Sequence, residues 1–180
     1  MKYLILNGNP TMGKGSFNSC LESLSDQMTA AGHRAEVITL RDMKIAPCTG
    51  CFKCWTKTPG KCIIRDDADR IAEKYMDADM VILASPLVLG YFSALMKNTI
   101  DRSIPLMHPH LEEVHEEIHH KKRYETYPSL GIIIEKEEDT DPEDLEIAEN
   151  LFRRMALNMR TDLKFITEID KAVEEVLTWN

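Results

Sequence analysis

No apolar run in this 180-residue chain approaches the roughly 20 residues that a membrane-spanning helix needs. The opening, MKYLILNGNP, interrupts its apolar stretch at Asn7 and Gly8, too early for a signal-peptide core. Positive charge is in deficit: 22 Lys and Arg face 30 Asp and Glu, a net charge of −8. That balance argues against nucleic acid or an anionic membrane as partner. Internal repeats and low-complexity tracts are absent. Cysteine is scarce, yet four of the five fall between positions 48 and 62. These lacks lead to the expectation of a soluble cytoplasmic protein, a setting in which lasting disulfides are rare. Hydrophobic content of 43% with 29% charged suits one globular domain over residues 1–180, with enough chain to bury a core.

What is present alternates. Four short, non-alternating apolar runs, KYLILNG (2–8), AEVITL (35–40), DMVILAS (79–85) and SLGIIIE (129–135), read as strands buried on both faces. A weaker fifth, DLKFIT, covers 162–167. Helical patterns lie between them: Ser16 to Gly32 with a Ser cap, Asp66 to Asp77, Phe92 to Ile104, Pro142 to Met159 and a tail from Ile169 to Leu177. Strand and helix in strict turn predict an α/β fold with a doubly wound, five-stranded parallel sheet and helices on both faces. The flavodoxin-like order 2-1-3-4-5 is expected, with ligands beyond the carboxyl ends of the strands. A cysteine-rich loop at 46–65 and an irregular insertion at about 105–128 interrupt the alternation.

The first strand runs into NGNPTMGKGSFNS and then a helix start, where free amides and the helix dipole attract phosphate. As a P-loop it matches at Gly8, Gly13 and Lys14 but has Gly15 where a metal-binding hydroxyl belongs. As a dinucleotide fingerprint it fails, because Pro10 replaces the second glycine. The remaining reading is a mononucleotide phosphate held near Ser16, Asn18 and Ser19; the bland alternative makes Ser16 only a helix cap. The four clustered cysteines, Cys48, Cys51, Cys54 and Cys62, form C-x2-C-x2-C-x7-C. Metal ligation, a redox disulfide and plain structural cysteines all compete there; zinc fits less well because its structural sites pair two C-x2-C knuckles across a longer gap. Cys20, near Leu21 and Leu24, reads as a core thiol. HEEIH at 115–119 satisfies the H-E-x-x-H zinc-protease pattern if helical, but its flanks read as a solvated, charged helix.

The segment ASPLVLGYFSALMKNTIDR (84–102) resembles the corresponding stretch of the NADPH-dependent FMN reductases through Pro86, Gly90, Tyr91, Met96, Lys97, Asp101 and Arg102. The first loop is similar to their phosphate motif through Gly8, Asn9, Pro10, Ser16, Asn18 and Ser19, over about the first 130 residues. One departure is Val88, where an aromatic often stands. The array C-x-G-C-x-x-C-W, with Gly60, Lys61, Cys62, Asp66 and Asp67 after it, resembles the iron–sulfur flavoproteins more closely. That resemblance implies FMN plus a [4Fe–4S] cluster on Cys48, Cys51, Cys54 and Cys62, in a homodimer or homotetramer. Asn9, Pro10, Ser16, Asn18 and Ser19 are then expected on the FMN phosphate side, and Pro86, Leu87, Val88, Leu89, Gly90 and Tyr91 along the ring. The function implied is an NAD(P)H-linked flavin- or quinone-type oxidoreductase with small-molecule donor and acceptor, or a ferredoxin-like protein partner. A non-enzymatic electron carrier is the alternative and a P-loop phosphotransferase a weaker one. No acid–base residue stands out as catalytic. Lys121, Lys122 and Arg123 in the insertion are candidates for a nicotinamide phosphate or a subunit contact, with a solvated surface favoured.

Overall fold

The computed structural model describes residues 1–12, 15–176 and 178. Gly13 and Lys14 of the near P-loop match, and Leu177 of the expected tail, lie outside the described residues. The main sheet contains β1 (Lys2–Asn7), β2 (Arg34–Thr39), β3 (Met80–Val88), β4 (Tyr91–Phe92), β7 (Ser129–Glu135) and β8 (Leu163–Glu168). Five of these are parallel, in the order β2-β1-β3-β7-β8, which is 2-1-3-4-5 when the parallel strands are counted alone. The two-residue β4 is an addition, folded back antiparallel on the end of β3.

Side chains alternate between the faces of a strand, so each central strand feeds two cores. On one face Leu4, Leu6, Val81, Leu83, Leu130 and Ile132 meet α3 (Asp67–Asp77), α4 (Ala94–Asp101) and α5 (Pro142–Asn158) through Ile71, Tyr75, Met96 and Phe152. On the other, Tyr3, Ile5, Ile82 and Ile133 meet α1 (Ser16–Ala30) and α6 (Ala172–Val176) through Phe17, Leu21, Leu24 and Val176. This two-faced burial is why the strands read as continuous apolar runs.

Helix starts follow local chemistry. Asp141 caps α5 in a reciprocal capping box with Asp144, and Pro142 occupies the first turn, where its missing N–H costs nothing. Asp66 caps α3 by accepting from the Ala68 amide. Ser93 caps α4, so that helix begins at Ala94, while Phe92, expected in the helix, belongs to β4.

The insertion at 105–128 is not irregular. Most of it is an antiparallel hairpin, β5 (Met107–Val114) with β6 (Glu117–Lys122), turned at His115 and Glu116 with φ of 52° and 65°. The expected charged helix is absent from this segment, and H-E-x-x-H therefore loses the helical face that would bring two histidines onto one metal. Arg123 closes the hairpin, donating from Nε and an η nitrogen to the Met107 carbonyl. Lys121 and Lys122 are exposed.

Gly131 of β7 lies opposite Phe165 of β8 at a register irregularity. A Cβ there would meet the Phe165 ring at 2.2 Å. Gly131→Ala is expected to cost about 1–3 kcal/mol through overpacking, read as a lower urea midpoint; an unchanged midpoint would show that the ring moves freely aside.

Candidate functional site

The loops beyond the carboxyl ends of β1, β2 and β3 are fused by buried polar contacts. After β1, Asn7 Nδ2 and Asn9 Nδ2 both donate to Asn18 Oδ1, at 2.9 and 3.3 Å. The amides of Asn9 and Thr11 donate to the side-chain oxygens of Asn7 and Asn9. From the end of β2, Arg41 donates to the carbonyls of Asn9 and Thr11. Ser93 Oγ donates to the Gly8 carbonyl at 2.5 Å and accepts from the Met96 amide, while its own amide donates to Ser85 Oγ. A Cβ on Gly8 would approach Met96 Cβ to 2.9 Å, so this backbone passage requires glycine.

This network redistributes roles among the expected phosphate residues. Gly15, not Ser16, is the residue before α1, and among the described residues no side chain caps that helix; no acidic residue occupies its first turn. Ser16 is exposed at the open N-terminus, Pro10 is exposed, and Asn9 and Asn18 are buried. Asn18 braces the loop through Asn7 and Asn9, and Ser19 Oγ turns back to the Gly15 carbonyl at 3.3 Å. The uncapped amides of α1 beside an Arg41-braced loop fit an oxyanion such as a phosphate. Arg41 was invisible to motif reasoning because it lies 32 residues from the backbone it holds.

Pro86 and Leu87 are half-buried and buried at the end of β3, Val88 and Leu89 are exposed, and Gly90 and Tyr91 are half-buried. Leu89 and Gly90 make a tight turn with φ of 52° and 73°. Their amides, expected to face a flavin ring, point at the carboxylate of Glu137, at 3.2 and 3.5 Å. Tyr91 packs its ring on Phe92 and Phe152, and burial, then Asp101, raises its hydroxyl pKa.

The cysteine loop sits after β2 on the same edge of the sheet. Phe52 at φ 53° leads into α2 (Lys53–Thr56), and Gly60 at φ 84° turns the chain back, its amide donating to the Cys54 carbonyl. Trp55 anchors the loop by donating to the carbonyls of Ile104 and Met107. All four cysteines line one small cavity of about 30 Å³, together with Phe52, Ile63, Ile64 and Arg102. Cys48 and Cys51 are exposed, Cys54 is buried, Cys62 is half-buried, and all are free thiols. Burial, with Cys62 and Cys48 nearby, pushes the Cys54 thiol up; the Lys53 amide, then the Thr49 hydroxyl, draw Cys51 down. Cys20 stands apart, donating to the Ile169 carbonyl, its pKa raised by burial and Asp170.

Among the described residues, no three His, Cys, Asp or Glu side chains gather closely enough to grip a single ion. A zinc knuckle would need that convergence. A cubane gives each thiolate its own iron, and four thiols around one cavity suit it in number and chemistry.

One ion pair holds the loop's two ends. Arg102 donates to both oxygens of Asp66, at 2.7 and 3.0 Å, and to the carbonyls of Ala46 and Ile64, at 2.7 and 3.2 Å. Their side chains are only 1% and 11% exposed. Burial would raise the Asp66 pKa, but Arg102 and the amides of Ala46 and Ala68 hold it below the ordinary carboxylate value.

A family model described as NADPH-dependent FMN reductase matches residues 1–121. An iron-sulfur flavoprotein of Archaeoglobus fulgidus is 36% identical over 103 residues, 57% of this chain and 49% of that protein. One from Methanocaldococcus jannaschii is 38% identical over 106 residues, 59% and 53% of the two chains. The chain therefore spans about half the length of the curated relatives it matches. Among solved structures, an NAD(P)H:quinone oxidoreductase from Methanothermobacter marburgensis aligns with TM-score 0.66 at 17% identity, covering 98% of this chain and 92% of that one. An FMN-dependent NADH-azoreductase from Bacillus anthracis, solved with FMN, aligns at 0.63 and 13%, covering 99% and 95%. At such identity these structures attest the shared fold alone.

Because Asp66 is held below its ordinary pKa, its stabilisation is complete above pH about 4 and is lost as pH falls through the lower folded value. Asp66→Ala is expected to cost about 3–5 kcal/mol at neutral pH, since it strands a buried arginine, and to flatten the acid limb of stability. Urea unfolding from pH 7 to pH 3 checks both; an unaltered acid limb would remove Asp66 from this role.

Proposed function

The chain belongs to the NADPH-dependent FMN reductase family, and from that membership we propose an FMN-dependent oxidoreductase of the iron–sulfur flavoprotein type. The observation that carries the reading is the convergence of two features on one edge of the sheet: an uncapped, acid-free helix start and a four-thiol cavity. The uncapped amides of α1 and the Ser16 hydroxyl would take the FMN phosphate, with Asn7, Asn9, Asn18 and Arg41 holding the loop in shape. Residues Pro86 to Tyr91 would flank the ring, and Cys48, Cys51, Cys54 and Cys62 would hold a [4Fe–4S] cluster.

FMN supplies hydride chemistry and can also release electrons singly; a cluster accepts them one at a time. The protein's part is to bind, orient and set the local charge. Glu137 at the Leu89–Gly90 turn places a carboxylate where negative charge on a reduced ring would be disfavoured, so it bears on the flavin potential. NAD(P)H is the donor proposed, with a small molecule or a ferredoxin-like protein as acceptor, and the working unit is a homodimer or homotetramer. A relay role without turnover is favoured by the exposure of Cys48 and Cys51, which opens the array to a partner. Gly15 at the metal-binding position leaves the phosphotransferase reading without its magnesium ligand. Among the described residues no helix is long and apolar enough to cross a membrane.

Three measurements test this. A charge-assisted hydrogen bond contributes about 1.5–3 kcal/mol, so Ser16→Ala should weaken FMN binding roughly ten- to a hundredfold without lowering the melting temperature. Flavin retained equally by Ser16→Ala and Asn18→Ala would sink the phosphate assignment. Protein purified without oxygen should carry iron and sulfide in proportion to the chain, lost in the four-serine variant while FMN stays. Flavin bleached promptly by NADPH supports the reductase; bleaching only by a ferredoxin-type donor supports the relay.

A further inference from the structure

The guanidinium of Arg102 has five N–H groups in a fixed plane. The four on its terminal nitrogens are matched by four oxygens: both carboxylate oxygens of Asp66 and the carbonyls of Ala46 and Ile64. The fifth, on Nε, is buried and has no hydrogen-bond partner. A buried N–H left without a partner is costly, and the Cys62 thiol lines the same cavity as Arg102 and bears on its guanidinium. Asp66 cannot supply a further acceptor, because its oxygens already take Arg102 and the amides of Ala46 and Ala68. The placement is also selective, since Cys62 is the cysteine that follows the Gly60 turn, two residues before the clamped Ile64.

We propose that Arg102 is a positioning residue for the thiolate array: its Nε–H, unpartnered here, donates to the Cys62 sulfur once that cysteine is a ligating thiolate, while its terminal nitrogens fasten the two ends of the cysteine loop. The proposal rests on the iron–sulfur reading above. A hydrogen bond to a ligating sulfur draws electron density from it and raises a cluster's reduction potential. Arg102 thereby makes Cys62 electronically unlike the other three ligands and couples the shape of the loop to the potential of what it holds. A lysine could keep the charge but not the planar fork with its extra donor.

The test uses anaerobically reconstituted full-length protein and two readouts. In Arg102→Lys, redox titration followed by electron paramagnetic resonance should show the cluster potential shifted to more negative values, with FMN content unchanged. A clamp that acted only on the fold would lower the melting temperature and leave the potential where it was. Should the lysine variant fail to fold, the wild type decides. With arginine labelled with nitrogen-15, pulsed resonance of the reduced cluster should show one nitrogen-15 coupling carried through the N–H···S contact. An unchanged potential in a folded variant, or no such coupling in the wild type, overturns the role of Arg102 alone. Failure of the wild type to take up iron overturns the cluster reading and this proposal with it.

Discussion

The buried pair between Asp66 and Arg102 is the interaction on which the active edge of this protein depends. Removing two charges from water is expensive, and a bare pair seldom repays it. Here the expense is offset by hydrogen bonds to both carboxylate oxygens and from both terminal guanidinium nitrogens: Asp66 caps α3 through Ala68 and holds Ala46, while Arg102 holds Ala46 and Ile64. The pair therefore joins the start of one helix, the end of another and both ends of the loop between them. Without it, the stretch from residue 46 to 64 would be tied down chiefly by Trp55 and the Gly60 turn.

The same logic governs the loop after β1. Three asparagines bond to one another, Arg41 reaches across from β2, and Ser93 reaches across from α4. Contacts from several elements thus add to the turns that Asn7 and Asn9 make within the loop. Pre-formed donors are the cheaper way to receive an anion, because little ordering is left to do on binding.

Much of this was legible in the chain. Double-sided burial makes β1, β3 and β7 unmistakable as apolar runs, and Pro142 announces α5 as a proline tolerated in a first turn. The cysteine spacing and the Pro59–Gly60 turn were likewise readable. The hairpin was not: HLEEVHEEIHH is rich in residues with helical spacing, and its turn uses His115 and Glu116 in place of the Asn–Gly pair that normally marks such turns. It is met from a distance by Arg154 on Glu117 and Arg160 on Glu112, contacts that no local pattern encodes. Nor could motif reasoning see that Asn18 is a brace, that Glu137 occupies the Leu89–Gly90 amides, or that Arg41 belongs to the β1 loop. In each case the decisive partner is remote in sequence or satisfied by backbone.

The cysteines differ in how far they stand from water: Cys48 and Cys51 are open, whereas Cys54 is shut in beneath them. Reagents that attack sulfur act first on what they can reach. Wear on this protein would therefore begin at its rim, on residues that the two cores do not use. Modification of Cys48 or Cys51 therefore touches neither of the two hydrophobic cores.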